Sequence, residues 1–201
     1  MSDSLGQLFT QQPPVLFRVA QLVGITGSAF VFGQNAFLSY GACPTIMEAP
    51  APLAARQWVK MYNSAHIVGP ITAIASGLSA AYVAYNQAPE SLAFKLNVAA
   101  AVLLPSIVPF TYAFIVPTNK KLFAKADSLA ATSLDNKAAE AGVAKEETVH
   151  ALIDKWATLN FARALIVGAA ALLAAWAAAD KREVVGFREI ALDVGANRLG
   201  N

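Results

Sequence analysis

Residues 56–85 read RQWVKMYNSAHIVGPITAIASGLSAAYVAY. The first half of this stretch mixes charged, polar and aromatic residues, and the second half is almost wholly apolar. A membrane-spanning helix needs about 20 predominantly apolar residues, and the second half together with the residues just before it, from about residue 62 to 85, is long enough. The stretch therefore predicts a span with a polar beginning. Its polar residues lie either in water above a membrane or around a site at the membrane edge.

The composition of the whole chain favours a membrane protein. The chain has 201 residues, of which 56% are hydrophobic and only 14% are charged, and its mean hydropathy is +0.48. A soluble domain usually carries about a quarter charged residues. The net charge of +2 gives no basic field suited to nucleic acid, so we expect no nucleic-acid partner. The single cysteine, Cys43, cannot form a disulfide within the chain.

Four apolar segments predict four spans, and together they predict an all-α fold, a transmembrane four-helix bundle. Small residues in the last segment would let its neighbours approach closely. The spans are expected at about residues 15–40, 62–85, 92–116 and 159–178. The domain organisation is then an N-terminal segment (1–14), a four-span membrane domain (15–179) and a polar C-terminal tail (180–201).

The segment between spans three and four is polar and covers residues 117–158. Its second half has apolar residues at helical spacing, which predicts an amphipathic helix leading into the last span. Gly142 is the expected break before that helix. Pro105 and Pro109 lie inside the third span and are expected to kink it.

Four spans place both termini on the same side of a membrane. The two longer connections then share the other side, and their lysines and arginines favour that side as cytoplasmic. We expect an integral protein of an intracellular membrane such as the endoplasmic reticulum. Whether it forms a homo-oligomer is left open.

Polar residues collect at the loop side of the predicted bundle. Asn63 and His66 share one face of a helix, and Asn160 and Arg163 share another, because residues three apart are neighbours on a helix. Each also has a structural interpretation. The aromatic residues Trp58, Tyr62 and Trp156 fit interfacial anchors. His66 could bond a neighbouring helix, and Arg163 could extend to the interface.

A metal or haem centre is a weaker alternative. His150 and Asp154 are four residues apart and could form half of a metal site. His66 and His150, the only two histidines, could ligate a haem if they lay on facing helices. The sequence decides neither point.

Three motifs resemble the anthrone oxygenase-like family of small four-span membrane proteins. They are W-x-x-x-Y-N-x-x-H at residues 58–66, P-T-N at 117–119 and W-x-x-L-N-x-x-R at 156–163. The resemblance implies an oxygenase that converts an anthrone-type aromatic polyketide to an anthraquinone with dioxygen and without an added cofactor. Its partners would be a hydrophobic aromatic molecule and the lipid bilayer.

The chemistry of this implied reaction leads to a hypothesis for the motif residues. His66 would be the general base, and Asn160 and Arg163 would complete the catalytic group by holding the phenolate or enolate oxygens together with Asn63. The substrate-binding residues would be Trp58, Tyr62, Asn63, Asn119 and Trp156, with the aromatic rings stacking on the ligand. Two other functions stay open: a non-catalytic binder or scaffold using the same pocket, and a metal- or haem-dependent redox protein.

Overall fold

A computed structural model describes residues 13–180, and this part of the chain is helical without strands. Seven α-helices follow one another. They are α1 (Val15–Phe37), α2 (Cys43–Met47), α3 (Ala51–Ala65), α4 (Val68–Tyr85), α5 (Leu92–Phe110), α6 (Val116–Ser128) and α7 (Val149–Ala179). Two π-helical turns, Leu38–Ala42 and Thr111–Ile115, join α1 to α2 and α5 to α6. The predicted N-terminal segment and C-terminal tail fall largely outside the described residues.

The four long helices α1, α4, α5 and α7 form a bundle. Helix α1 packs against α4 and α7, and α5 packs against the same two neighbours from the other side. Four helical segments are long and apolar enough to cross a membrane: Val15–Met47, Ala51–Tyr85, Leu92–Ser128 and Val149–Ala179. The prediction of an all-α protein with four such helices is confirmed.

The bundle has small residues inside and large apolar residues outside. We call its inner set the alanine core, which consists of Val31, Ala73, Ala80, Ala100, Leu104, Ile107, Val167, Ala170 and Ala174. Leu78, Val102 and Leu172, in contrast, are each more than three-fifths exposed. Small inner residues let helix backbones approach closely, and an apolar exterior is the arrangement that a lipid solvent favours.

The helices extend beyond the predicted spans. The predicted second span, 62–85, begins inside α3, and the chain turns at His66 and Ile67 before α4 starts. Pro70 accounts for the interruption, because proline has no N–H to donate to the carbonyl of residue 66 one turn earlier. The turn therefore sets His66 at a junction of two helices.

Much of the predicted polar segment 117–158 is helical. Helix α6 continues the third segment as far as Ser128, and α7 begins at Val149. Pro117 does not prevent α6, because it stands in the first turn, where a missing N–H is tolerated. Gly142 has a φ of +82°, a conformation open to glycine, which agrees with the expected break. Pro105 and Pro109 lie inside α5 without ending it.

A second core lies over the loop-side end of the bundle. We call it the aromatic core, and its buried members are Cys43, Ile46, Ala51, Ala54, Ala55, Trp58, Ile115, Leu122, Val149, Leu152, Ile153, Trp156 and Ala157. It joins α2, α3 and α6 to the first half of α7. Helix α7 is held at its start by Thr148, whose hydroxyl accepts the N–H of Ala151 at 3.3 Å, and by Glu140, which accepts the N–H of Val149.

Candidate functional site

A cavity lies where the alanine core meets the aromatic core. The cavity has a volume of about 70 Å³, which is room for several waters. All four long segments contribute to its wall. Its polar wall residues are Asn35, Tyr62, His66, Thr111, Asn119 and Arg163. Trp156 and apolar side chains complete it.

Arg163 is held by three neutral side chains. One of its terminal nitrogens donates to Asn35 Oδ1 at 3.0 Å and to Asn160 Oδ1 at 2.5 Å. The other terminal nitrogen donates to Thr111 Oγ1 at 3.3 Å. The Nε–H is buried and has no hydrogen-bond partner among the described residues 13–180. The guanidinium is thus fixed in position with part of its donor capacity unused.

No carboxylate neutralises Arg163 within the described residues 13–180. The ion pair in this part of the chain joins Lys125 to Glu140, at 3.0 Å, in the loop region. A half-buried cation that meets only amide and hydroxyl oxygens leaves its charge uncompensated. The cavity wall therefore favours an anionic ligand atom.

Asn160 supports Arg163 from behind the cavity wall. It is fully buried, and its side-chain amide nitrogen donates to the backbone oxygen of Asn35 and to Ser39 Oγ, both at 2.8 Å. Its oxygen accepts from Arg163. Its side-chain nitrogen and oxygen both have partners, and Asn160 contacts the guanidinium of Arg163 without lining the cavity.

His66 stands at the cavity with an exposed imidazole. Its Nδ1 lies 3.1 Å from the backbone oxygen of Asn63. A carbonyl oxygen can only accept, so neutral His66 carries its proton on Nδ1 and leaves the Nε2 lone pair free. The side chain of Asn63 is exposed and does not line the cavity, so only the backbone of Asn63 supports the site.

Trp58, Tyr62 and His66 form a continuous aromatic stack along α3. The rings of Trp58 and Tyr62 have centroids 5.2 Å apart at 23°, and those of Tyr62 and His66 are 5.2 Å apart at 11°. Because the partners stand one turn before and one turn after Tyr62, they cover its two opposite faces. Trp58 is fully buried and lies outside the cavity wall. Trp58 is therefore the buried end of the stack and packs against Tyr62 from outside the cavity.

Asn119 connects Tyr62 to Trp156. The Trp156 indole Nε1 donates to Asn119 Oδ1 at 2.8 Å, and Asn119 Nδ2 donates to the Tyr62 hydroxyl oxygen at 3.4 Å. Since an indole nitrogen can only donate, the bond to Trp156 fixes which end of the amide faces Tyr62. The P-T-N and W-x-x-L-N-x-x-R motifs thus meet through side-chain contacts.

The second histidine lies away from this site. His150 Nε2 donates to the backbone oxygen of Ala49 at 2.9 Å, and Asp154 is exposed. Within residues 13–180 there is no group of three His, Cys, Asp or Glu side chains placed to share a metal ion. The proposed pair of His150 and Asp154 gains no third ligand there.

Three polar residues in or behind the cavity wall are absent from the predicted site. Asn35 and Thr111 hold Arg163, and Ser39 holds Asn160. Asn35 and Ser39 are four residues apart within an apolar span, and that spacing is the signal that could have found them. Thr111 carries no comparable signal, because serine and threonine are common in membrane helices and often bond their own backbone.

Comparison with known proteins places the chain in a family. Residues 58–173, more than half of the chain, match the family model described as anthrone oxygenase. The matched region starts at Trp58 and contains every residue of the three sequence motifs. It leaves out Asn35 and Ser39.

Individual relatives agree with the family match. The chain is 34% identical over 154 residues to the anthrone oxygenase AgnL2 of Paecilomyces divaricatus, covering 73% of this chain and 87% of that protein. It is 31% identical over 144 residues to the anthrone oxygenase nsrD of Aspergillus novofumigatus, covering 70% and 82%. A noranthrone monooxygenase of Aspergillus flavus is 27% identical over 165 residues, covering 81% and 73%. No solved structure matches the chain. From the extent of the family match and the identity to these relatives, the chain belongs to the anthrone oxygenase family.

Proposed function

We propose that the protein is a membrane-embedded oxygenase that uses dioxygen to convert an anthrone-type aromatic polyketide to an anthraquinone, without a bound cofactor. The names of its relatives support the reaction class. The observation that carries the proposal is the pairing, at one cavity, of the uncompensated Arg163 cation with the free Nε2 lone pair of His66. The pair suits a substrate that is neutral on arrival and becomes an anion.

The reaction balances with dioxygen as the only co-substrate. An anthrone has a methylene group between two aromatic rings and conjugated to a carbonyl, so loss of a proton gives a stabilised enolate. The electron-rich carbon bonds to one oxygen atom of dioxygen and gives a peroxide. Loss of the second C–H proton with cleavage of the O–O bond forms the new ketone and water. The methylene carbon is oxidised by four electrons, and dioxygen is reduced by four.

Two side chains act together in the first step, the removal of a methylene proton. His66 Nε2 takes the methylene proton as general base, a role that contributes about 10²–10⁴-fold to rate in enzymes. Arg163 stabilises the negative charge that develops on the conjugated oxygen, in the manner of an oxyanion site. Asn160 and Asn35 hold the guanidinium in place before the charge develops, so no reorganisation is needed at the moment of reaction.

The location of the cavity fits an apolar substrate. A three-ring molecule is larger than the open space, so the proposal places the reacting ring inside and the remainder at the mouth beside His66. Ile67 and Ile71, next to two wall residues in sequence, are exposed and apolar. A substrate dissolved in the bilayer could then reach the site between helices without crossing water.

The test is oxygen uptake by membranes that contain the protein, after addition of an anthrone and subtraction of the spontaneous rate. Under ¹⁸O₂ we expect one labelled oxygen in the quinone. His66→Ala should lower the protein-dependent rate by about 10²–10⁴-fold, because the base is lost. His150→Gln is the matched control and should keep the rate, because the other histidine lies outside the cavity and glutamine retains a donor for Ala49.

Two results would contradict the proposal. Uptake equal to the spontaneous rate, in membranes where the folded protein is present, would favour a binding or scaffold role. Loss of activity in both histidine variants, with a haem absorption band in the purified protein, would favour the redox alternative.

A further inference from the structure

The aromatic stack changes what Tyr62 can offer to a ligand. Both faces of its ring are covered, one by Trp58 and the other by His66. Phe123 meets the same ring edge-on, with centroids 5.4 Å apart at 86°. A substrate ring therefore cannot stack on Tyr62, although the tyrosine lines the cavity. What remains available there is its hydroxyl group.

The hydrogen bonds around Tyr62 leave its hydroxyl proton free. Asn119 presents its amide N–H to the hydroxyl oxygen, since its own oxygen is held by the Trp156 indole. The oxygen of Tyr62 is thus an acceptor in that contact, and its proton has no acceptor in the part of the chain that the structure describes. The contact is long, at 3.4 Å, so the hydroxyl is not locked and can turn toward a ligand atom.

We propose that Tyr62 is the proton donor to the peroxide formed on the substrate, a further catalytic residue beside His66. The inference rests on the proposed oxygenase function. Once dioxygen has bonded to the carbon, the peroxide anion takes the hydroxyl proton of Tyr62. The amide of Asn119 stabilises the resulting tyrosinate oxygen by donating to it.

The proton count closes within the site. The imidazolium of His66 holds the proton taken from the methylene group, and it restores the tyrosine. The second methylene proton then leaves the carbon as the O–O bond breaks and the ketone forms, and the departing hydroxide takes up a proton and leaves as water. Two protons leave the carbon and two arrive on one oxygen atom. Because His66 lies against the face of Tyr62, the group that starts the reaction and the group that continues it are adjacent.

The experiment separates the step before dioxygen from the step after it. Without oxygen, in D₂O, exchange of the methylene hydrogens for deuterium reports the general base. With oxygen, quinone formation reports the whole reaction. We expect Tyr62→Phe to keep the exchange rate within about twofold of wild type and to lower quinone formation by about 10²-fold. His66→Ala should lose both.

A matched control at another tyrosine and a second change at position 62 make the result specific to the hydroxyl of Tyr62. Tyr85→Phe removes a hydroxyl from an exposed tyrosine away from the cavity and should change neither rate. Fluorotyrosine at position 62 keeps the hydroxyl and makes it more acidic, so the pH profile of the oxygen-dependent step should move to lower pH. A purely structural tyrosine would leave that profile in place.

Each outcome has a distinct meaning. Wild-type quinone formation in Tyr62→Phe overturns the role of Tyr62 while the oxygenase proposal stands. Equal loss of exchange and quinone formation also overturns it, since Tyr62 would then act only by holding His66. If the wild-type protein shows neither exchange nor turnover, the proposed function fails and the inference fails with it.

Discussion

The two halves of the bundle are built from different side chains. The alanine core joins four helices through small apolar residues, and buried polar groups there are few, with Ser28 and Ser76 among them. The other half combines the aromatic core with the buried amides of Asn35, Asn119 and Asn160. The helices are uninterrupted in the first half, whereas both π-helical turns and the turn at His66 lie in the second.

This difference separates what holds the fold from what performs the chemistry. Small residues at helix contacts give close packing that tolerates little added volume. Helix interruptions change the direction of side chains, and π-helical turns often occur at functional sites. Leu38 and Thr111, which begin the two π-helical turns, both line the cavity. Changes in the alanine core should therefore affect stability, and changes at the cavity should affect activity.

After the loss of His66, the largest effect is expected at Arg163. Arg163→Met removes the cation that would stabilise the anion, and we expect quinone formation to fall by about 10²–10³-fold. Arg163→Lys keeps the charge but cannot donate to Asn35, Asn160 and Thr111 at the same time. Its rate should therefore lie between those of the wild type and Arg163→Met. The measurement is anthrone-dependent oxygen uptake in membranes with equal amounts of protein. Full activity in the methionine variant would remove the cation from the mechanism.

A stability effect is expected inside the alanine core. Ala73 is fully buried, and Ala75, two residues further along α4, is exposed. Ala73→Leu should lower the free energy of unfolding by about 1–3 kcal/mol, because the added carbons have no space. Ala75→Leu makes the same chemical change on the outer face and should be nearly neutral. Thermal unfolding in detergent measures both, and equal melting temperatures would show that α4 does not pack as described.

The smallest effect is expected at Trp156. Trp156→Phe removes the donor to Asn119 Oδ1 and keeps most of the ring that packs against Trp58. A lost hydrogen bond of this kind costs about 1 kcal/mol of stability. Quinone formation should fall only several-fold, because Asn119 can then rotate away from Tyr62. A loss as large as that of Arg163→Met would mean that Trp156 contacts the substrate directly.

The sequence predicted the helices better than their ends. Apolar length identified all four membrane-length segments, and Gly142 identified a turn. The helix from Val116 to Ser128 was missed, since its polar composition reads as a loop. The turn at His66 was also missed, because apolar length predicts an unbroken span from Tyr62, whereas Pro70 has no N–H to donate to the preceding turn.

The candidate site was predicted in part. His66, Arg163, Asn119, Tyr62 and Trp156 all reach the cavity. The other three predicted residues lie elsewhere: Trp58 at the buried end of the stack, Asn160 behind Arg163, and Asn63 on the exposed surface. Helical spacing gives the face on which a residue stands, but it does not give the neighbour that the face meets.

By itself the sequence determined the number of membrane-length helical segments, because it follows from the length and apolarity of local segments. It also brought Tyr62 and His66 into register, since residues four apart on a helix are neighbours. Only the tertiary structure decided that Arg163 meets Asn35 and Thr111 and, among residues 13–180, no carboxylate. These three residues are separated by 52 or more positions, and the packing of α1, α5 and α7 is what brings their polar atoms to one cavity.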